Sequence, residues 1–527
     1  MTWFFGNRKS LIFALILAFT LAGAIRLYDL TDLPLDFAPT RQLFSALKAR
    51  GMYYATLPAN SEIPEWQRAM AVRQWKSIQA IEPTVIETIT AQTYRMVGEH
   101  LWIARVYSAL FWVLAGLLLF LLASEISGPA GAFISLLFYL FLPYGVIASR
   151  TFQPDPLMVA LIVSAAWASF HWANNRDLPG RSWKWVILAG ILNGLAIFVK
   201  NVAVFPLAFA IAALTLECGL VKSLKDKQTW VLAGLSILPT AAYTIYGLLG
   251  PGFLGQQFAF RFFPQLWSDP AFYLRWIGQI DGVTGFGALA AAITGIFVAR
   301  RRAAALLIGL WLGYFAYGMT FAYHISTHDY YQLPLIPIVA VSLAPVAEAL
   351  FETANRLRNP RISGDNRSDP RPNPKRNWPD IFARAVLSIL ILLVVSIQVW
   401  NVRVELIRDD WRPDAEFWAA LGEKLGHDGP VLTISQDYGY RLAYWGWQEV
   451  DSWYDSGDLD LRTLDGRQIN LMQRFQEQAS GKHYLVVTQL GKLDQQPEIK
   501  AYIYQTYPVF AEGKGYLVFR LDVTKIK

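Results

Sequence analysis

The chain is predicted to be an α-helical polytopic membrane protein that ends in a small soluble α/β domain. Three observations predict it. Hydrophobic residues make up 54% of the 527 positions and charged residues only 17%, where a typical soluble domain carries about 25%. Apolar runs of roughly 20 residues, the length that a helix needs to cross the hydrocarbon core, recur from residue 10 to residue 401. After residue 402 short apolar runs and turn residues replace them. The 20 Trp, 24 Tyr and 32 Phe fit the aromatic belts of a membrane protein.

The first apolar run covers residues 10 to 27 behind Arg8 and Lys9. It has the look of a signal peptide, with Ala22-Gly23-Ala24 as a cleavage site. The preferred reading is an uncleaved span, since the later spans already fix the protein in the membrane. Residues 29 to 100 are polar and punctuated by Pro34, Pro39, Pro58, Pro64 and Pro83. A loop of that length is usually functional, and Trp66 and Trp75 suggest helices lying in the membrane interface.

Ten further spans are expected at 101–123, 131–148, 156–173, 185–199, 202–217, 230–250, 284–299, 303–322, 330–352 and 381–401. That makes about eleven transmembrane helices, each residue satisfying its backbone within its own segment.

Charge sets the orientation. With the N-terminus in the cytoplasm, the inner segments hold Arg8 and Lys9, then Arg176, Arg181 and Lys184, then Lys222, Lys225 and Lys227, then Arg300, Arg301 and Arg302. The inner segment 353–380, rich in Pro, Asn and Arg, reads as a flexible cytoplasmic linker near anionic headgroups. The short outer connections carry only Arg150 and Lys200. This is the positive-inside pattern, and it puts the C-terminal domain, 402–527, outside the cell membrane. The +7 net charge follows from those helix ends and calls for membrane lipids, not nucleic acid. Cys218 is the single cysteine, which rules out an intrachain disulfide and a cysteine metal cluster.

In the C-terminal domain, Pro413 to Leu425 and Glu498 to Tyr507 read as helices. Residues 431–434 and 484–487 read as short strands, and Gly513 and Gly515 as a turn before a last strand at 516–519.

Unusual polar residues gather at the outer ends of the spans. Asp36 and Arg41 lie early in the first loop, and Arg150 and Asp155 in the second outer connection. Lys200 sits where two apolar runs meet, and His324, His328, Asp329 and Tyr331 precede the tenth span. Each has a plain alternative. Asp36 and Asp155 can cap helices, Arg150 and Lys200 can snorkel, and Arg41 can serve a salt bridge. His324 and His328, four apart, can share a helix face as metal ligands do or merely pack there; without a third ligand no metal is expected. What the plain alternatives explain poorly is the arrival of all these residues on one side. Charged groups at such positions mark functional sites.

Five sequence elements then carry a resemblance. They are Asp36 in the first loop, Ala104-Arg105-Val106-Tyr107-Ser108-Ala109-Leu110-Phe111, Ser149-Arg150-Thr151-Phe152-Gln153-Pro154-Asp155-Pro156-Leu157, Gly194 to Lys200, and His328-Asp329-Tyr330-Tyr331-Gln332-Leu333-Pro334. In this order they resemble the polytopic GT-C glycosyltransferases, especially bacterial relatives of protein O-mannosyltransferases and of the lipid A aminoarabinose transferase. The resemblance covers roughly residues 10–400. It implies a helical membrane domain with an external cavity, a polyprenyl-phosphate-linked sugar as donor, and a protein, lipid or glycan acceptor. By position Asp36 would be the general base and Asp155 the second acid. Arg41, Arg150, Lys200, His324, His328, Asp329 and Tyr331 would bind substrate. Phe37 stands where the family has a second acid, which leaves divalent-metal dependence open. Tyr444-Trp445-Gly446-Trp447 is distantly similar to the Trp-rich motif of oligosaccharyltransferases, or is simple packing. The competing function is a transporter or flippase of a lipid-linked anion, which predicts polar residues through the span centres and at both faces.

Overall fold

The computed structural model describes residues 8–58, 60–79, 82–176, 183–250, 253–254, 260–358, 378–454, 456–466 and 469–524. Most of residues 353–380, the expected cytoplasmic linker, lies outside the described residues.

Every expected span falls on helix. Among the described residues, seven helices are long and apolar enough to cross a membrane, or eight if the bent pair Pro270–Thr284 and Phe286–Val298 counts as one. The seven begin at Arg8, Trp102, Asp155, Lys227, Arg301, Leu335 and Ala385. Three further apolar helices, Pro129–Phe141, Trp183–Val199 and Asn201–Glu217, are shorter.

The departures from the expected spans have local causes. The run 131–148 breaks at Leu142, where Pro143 removes a backbone donor and opens a second short helix, Pro143–Ala148. The run at 284–299 is the second arm of a pair that turns by 95° at Gly285. The tenth span starts at Leu335, because Asp329–Gln332 form a 3₁₀ turn ahead of Pro334.

The first helix, Arg8–Arg26, is part of the bundle. Its last residue is buried, and the Arg26 Nε donates to Ser149 Oγ at 2.7 Å. Arg26 Nη1 donates to the carbonyls of Ala22 and Leu140 at 3.0 and 3.1 Å. Close helix approach is bought by small residues, as expected where lipid supplies no hydrophobic drive. A Cβ on Gly309 or Gly313 would come within 2.5 or 2.4 Å of the carbonyl oxygens of Phe209 and Phe205 on the facing helix.

The first loop folds into three helices, Pro39–Tyr54, Glu65–Ser77 and Val85–Val97. They share an apolar core in which Leu43, Leu47, Ile86 and Tyr94 meet Ile103 of a membrane helix, Phe152 of the connection between two others, and Ala443 and Tyr444 of the C-terminal domain. Trp66, near the start of its helix, stacks on His427 of the C-terminal domain at 4.2 Å and meets Trp447 edge-on at 6.1 Å. Further along, the helix packs on Pro39–Tyr54.

The C-terminal domain holds a five-stranded sheet in the order β2-β1-β3-β5-β4, from β1 (Val431–Ile434), β2 (Val450–Ser452), β3 (Tyr484–Val487), β4 (Val509–Gly513) and β5 (Tyr516–Arg520). β1 runs parallel to β2 and β3, while β5 is antiparallel to β3 and β4. Helices Arg412–Leu425 and Pro497–Thr506 stand where the amphipathic pattern puts them. The domain docks onto the first loop, so the loop and the domain share one end of the helix bundle.

Candidate functional site

The charged residues picked out in the sequence meet at that end. They form two linked groups.

The first group centres on Asp36. Its Oδ2 is ion-paired with the Arg105 guanidinium and lies 4.0 Å from Arg150 Nε. Its Oδ1 accepts from Gln42 Nε2 at 3.2 Å. Asp36 caps no helix: the helix beginning at Pro39 has Ala38 as its N-cap and no side-chain cap bond. Arg105 is fully buried and also donates to the carbonyls of Asp32 at 2.7 Å and Arg150 at 3.2 Å. Arg150 does not snorkel. It is 1% exposed and donates to the carbonyls of Tyr28 and Asp29. Burial, then the neighbouring Arg105 charge, lowers its pKa to about 10. These arginines are held by main-chain oxygens, so their charge stays where the fold puts it.

The second group centres on Asp155. This residue opens the helix Asp155–Asn175 without capping it. Lys200 Nζ donates to both carboxylate oxygens at 2.8 Å. The Asp155 side chain is 2% exposed and Lys200 13%. The Lys200 ammonium also stands 5.8 Å from the Tyr330 ring centre. Beside this pair, Arg41 binds Glu82 at 2.9 Å. Burial alone would raise the Glu82 pKa, but Arg41, Lys200 and Arg261 outweigh it and hold the carboxyl below its ordinary value. The Arg41 guanidinium is likewise within electrostatic reach of Tyr330 and Asp155.

One side chain joins the groups. The Gln42 amide donates to Asp36 and to the Phe37 carbonyl at 2.7 Å, and its Oε1 accepts from the Phe152 amide at 2.9 Å. The strip Ser149 to Asp155 thus runs from one carboxylate to the other, with Arg150 at the first and Asp155 itself at the second.

The aromatic wall comes from residues 324–331. Tyr331 stacks on Tyr317 at 6.1 Å and on His324 at 5.4 Å, and its hydroxyl accepts from Arg261 Nη1 at 3.2 Å. His324 and His328 stack 6.0 Å apart. Burial first, then the Arg261 and His328 charges, lowers the His324 pKa to about 3, and burial also lowers His328. Both rings are therefore neutral at pH 7, which argues against an imidazolium role there. Asp329 opens the 3₁₀ turn next to them and acts electrostatically on His328. Among the described residues, no three His, Cys, Asp or Glu side chains come together as a metal-holding group.

Sequence reasoning missed Gln42, Glu82, Arg105 and Arg261. Arg105 stood inside a quoted motif without a role. Glu82 is a lone acid between Ile81 and Pro83, and Arg261 a lone cation among Phe260, Phe262 and Phe263. Isolated charge in an apolar or aromatic setting was the available signal.

A broken-helix membrane bundle, a helical outer loop and an α/β domain over a charged site define the class: a polytopic membrane protein with the GT-C glycosyltransferase fold. Comparison with known proteins bears on this directly. The family model for dolichyl-phosphate-mannose-protein mannosyltransferases matches residues 82–246. The structure is similar to that of ArnT from Cupriavidus metallidurans bound to undecaprenyl phosphate, with a TM-score of 0.57, 16% identity, and 96% of this chain and 97% of that chain covered. It is also similar to the oligosaccharyltransferase AglB from Archaeoglobus fulgidus in complex with an inhibitory peptide and a dolichol-phosphate, at a TM-score of 0.51, 11% identity, and 96% and 74% covered. An Archaeoglobus fulgidus oligosaccharyltransferase tethered with an acceptor peptide gives a TM-score of 0.54 at 12% identity, with 98% and 74% covered. A search of curated protein sequences gives no match.

Proposed function

We propose that the chain transfers a sugar from a polyprenyl-phosphate carrier to an acceptor on the outer face of the cell membrane, probing the donor with the Asp155 group and activating the acceptor with Asp36. The single observation that carries this reading is the pairing pattern of the two carboxylates. Asp155 gives both oxygens to Lys200 and is almost sealed from solvent. Asp36, 16% exposed, receives on Oδ1 one long bond from Gln42. A lone pair of Asp36 is thus open to a proton, whereas those of Asp155 are committed.

The chemistry follows from that asymmetry. The acceptor nucleophile loses its proton to Asp36 as it attacks the anomeric carbon, a step worth a factor of about 10²–10⁴ in a general-base mechanism. The bond from that carbon to the phosphate oxygen breaks, and the electron pair leaves with the lipid phosphate. Direct displacement inverts the anomeric centre. Lys200, Arg41 and Arg261 stand around Glu82 and Asp155, so this corner holds three fixed cations. Fixed cations there stabilise the growing phosphate charge at no reorganisation cost. The orientation follows the positive-inside pattern, with the site and the C-terminal domain outside the inner membrane.

The test is to incubate the purified protein with a panel of polyprenyl-phosphate sugars and candidate protein, lipid and glycan acceptors. Wild type should turn over one donor, and Asp36→Asn, assayed well below its own melting temperature, should lose at least 100-fold. Movement of an intact donor across a bilayer without turnover would instead make the chain a transporter.

A further inference from the structure

The stretch that delivers Asp36 is held by its main chain. Residues 27–36 run in turns from the end of the first helix, Arg8–Arg26, to Asp36. Arg150 donates to the carbonyls of Tyr28 and Asp29. Arg105 donates to the Asp32 carbonyl at 2.7 Å and pairs with Asp36 itself. Asp29 takes left-handed backbone, with φ of 46°. A non-glycine residue keeps that conformation where its surroundings impose it.

Arg26 roots this arrangement in a helix break. Pro143 has no N–H for the carbonyl of Tyr139, four residues back, and a new short helix, Pro143–Ala148, starts there. Side chains supply donors in its place. Trp112 Nε1 donates to the Tyr139 carbonyl at 3.4 Å, and Arg26 Nη1 to the Leu140 carbonyl at 3.1 Å. The same guanidinium gives its Nε to Ser149 Oγ at 2.7 Å, across 123 residues of sequence. Ser149 Oγ donates in turn to the Val146 carbonyl at 2.8 Å. Arg26 therefore grips the chain on either side of the short helix that leads into Arg150.

The grip is reciprocal. Arg26 reaches Ser149, and Arg150, the next residue, reaches back to the main chain two and three residues past Arg26. Sliding one segment along the other breaks both sets of bonds. Arg26 is fully buried, and its hydrogen-bond partners Ala22, Leu140 and Ser149 are all uncharged. Burying a cation without a carboxylate partner is costly. The rigid fork of a guanidinium serves three acceptors in fixed directions, which a lysine ammonium does not.

We propose that Arg26 is a positioning residue of the candidate site: by clasping Ser149 and Arg150 to residues 27–36, it fixes Asp36 against Arg105 and Arg150. The first helix is then part of the frame of the site as well as a membrane anchor. The proposal rests on the sugar-transfer reading for the task of Asp36, but the clasp itself is measurable without turnover.

The test compares full-length wild type, Arg26→Met, Arg26→Lys and Ser149→Ala in detergent. Hydrogen–deuterium exchange should rise at least tenfold in peptides covering 27–36 and 149–153 of Arg26→Met, and less in Arg26→Lys. The sheet peptides 484–487 and 516–520 should stay within twofold. Ser149→Ala removes only the Nε acceptor and should raise exchange at 27–36 at least threefold, so it keeps the test valid if Arg26→Met fails to fold. Exchange at 27–36 that stays within twofold in folded Ser149→Ala overturns the clasp. On a donor that wild type turns over, Arg26→Met should lose at least 30-fold in kcat, with partial rescue in Arg26→Lys. Its affinity for the bare polyprenyl phosphate should stay within threefold, because Asp155 and Lys200 are anchored by their own helices. Equal losses in kcat and in that affinity would make Arg26 merely structural and overturn the positioning role. Faster exchange in a chain whose wild type turns over no donor keeps the clasp and sinks the sugar-transfer reading.

Discussion

Arg105 and Asp36 are ion-paired across 69 residues of sequence, one from the start of a membrane helix and the other from the loop before it. The arginine is fully buried and the aspartate partly exposed. Removing one partner of such a pair is expensive, since the other charge is left without compensation. Arg105→Met should destabilise the protein by about 3 kcal/mol, and Asp36→Asn placed on top should restore part of it. Thermal melting of both singles and the double in detergent measures the coupling. Strictly additive losses would show that the two side chains do not depend on each other.

Lys200 and Asp155 pose a different question, because the ammonium is shared between a carboxylate and whatever anion enters. Lys200→Met removes a fixed cation and should weaken binding of a bare polyprenyl phosphate at least tenfold. Asp155→Asn removes a competitor for the same ammonium, so that affinity should hold or rise. Tryptophan-fluorescence titration reads both, and weaker lipid-phosphate binding by Asp155→Asn would contradict this division of labour.

The helices were legible because hydropathy periods depend on each residue's own side chain. The charged residues of the candidate site stood out because charge is rare in such a chain. The roles of Gln42 and Arg105 did not. Their roles are hydrogen bonds to partners 110 and 69 residues away, and nothing local distinguishes a bridging glutamine from a solvated one. The breaks at Pro143 and Gly285 were foreseeable only in kind: proline and glycine license a bend, while the 95° turn is set by packing. The docking of Trp66 on His427 likewise needs the C-terminal domain in place and has no local signal.

His324 gives a pH dependence with a definite sign. Burial depresses its folded pKa to about 3 from an ordinary 6.5. Between those values the unfolded chain binds the proton and the folded chain does not. Stability from this residue is therefore complete above pH 6.5 and is lost as pH falls, by at most about 1.4 kcal/mol per unit. His324→Gln cannot bind that proton. Its melting temperature relative to wild type should climb steadily from pH 7 to pH 5. A flat difference across that range would mean that the ring is already solvated in the folded state.

Arg50 is the residue on which docking of the C-terminal domain should depend most. Its guanidinium lies 3.4 Å from the Tyr444 ring centre and 4.4 Å from that of Trp447. It also binds Glu99 at 2.8 Å and donates to the Tyr444 carbonyl. A planar cation between two rings gains about 2 kcal/mol when desolvated, and a lysine ammonium cannot reproduce the fork or the stacking. Arg50→Lys and Arg50→Ala should both loosen the domain, the alanine more, so that limited proteolysis cuts near residues 407–411 at least tenfold faster. Trp66→Ala, at the rim of the same interface, should change that rate less than threefold. The order of the three variants separates a buried stacked cation from apolar contact area, because a purely hydrophobic interface would make the tryptophan, with its larger apolar surface, the costlier loss.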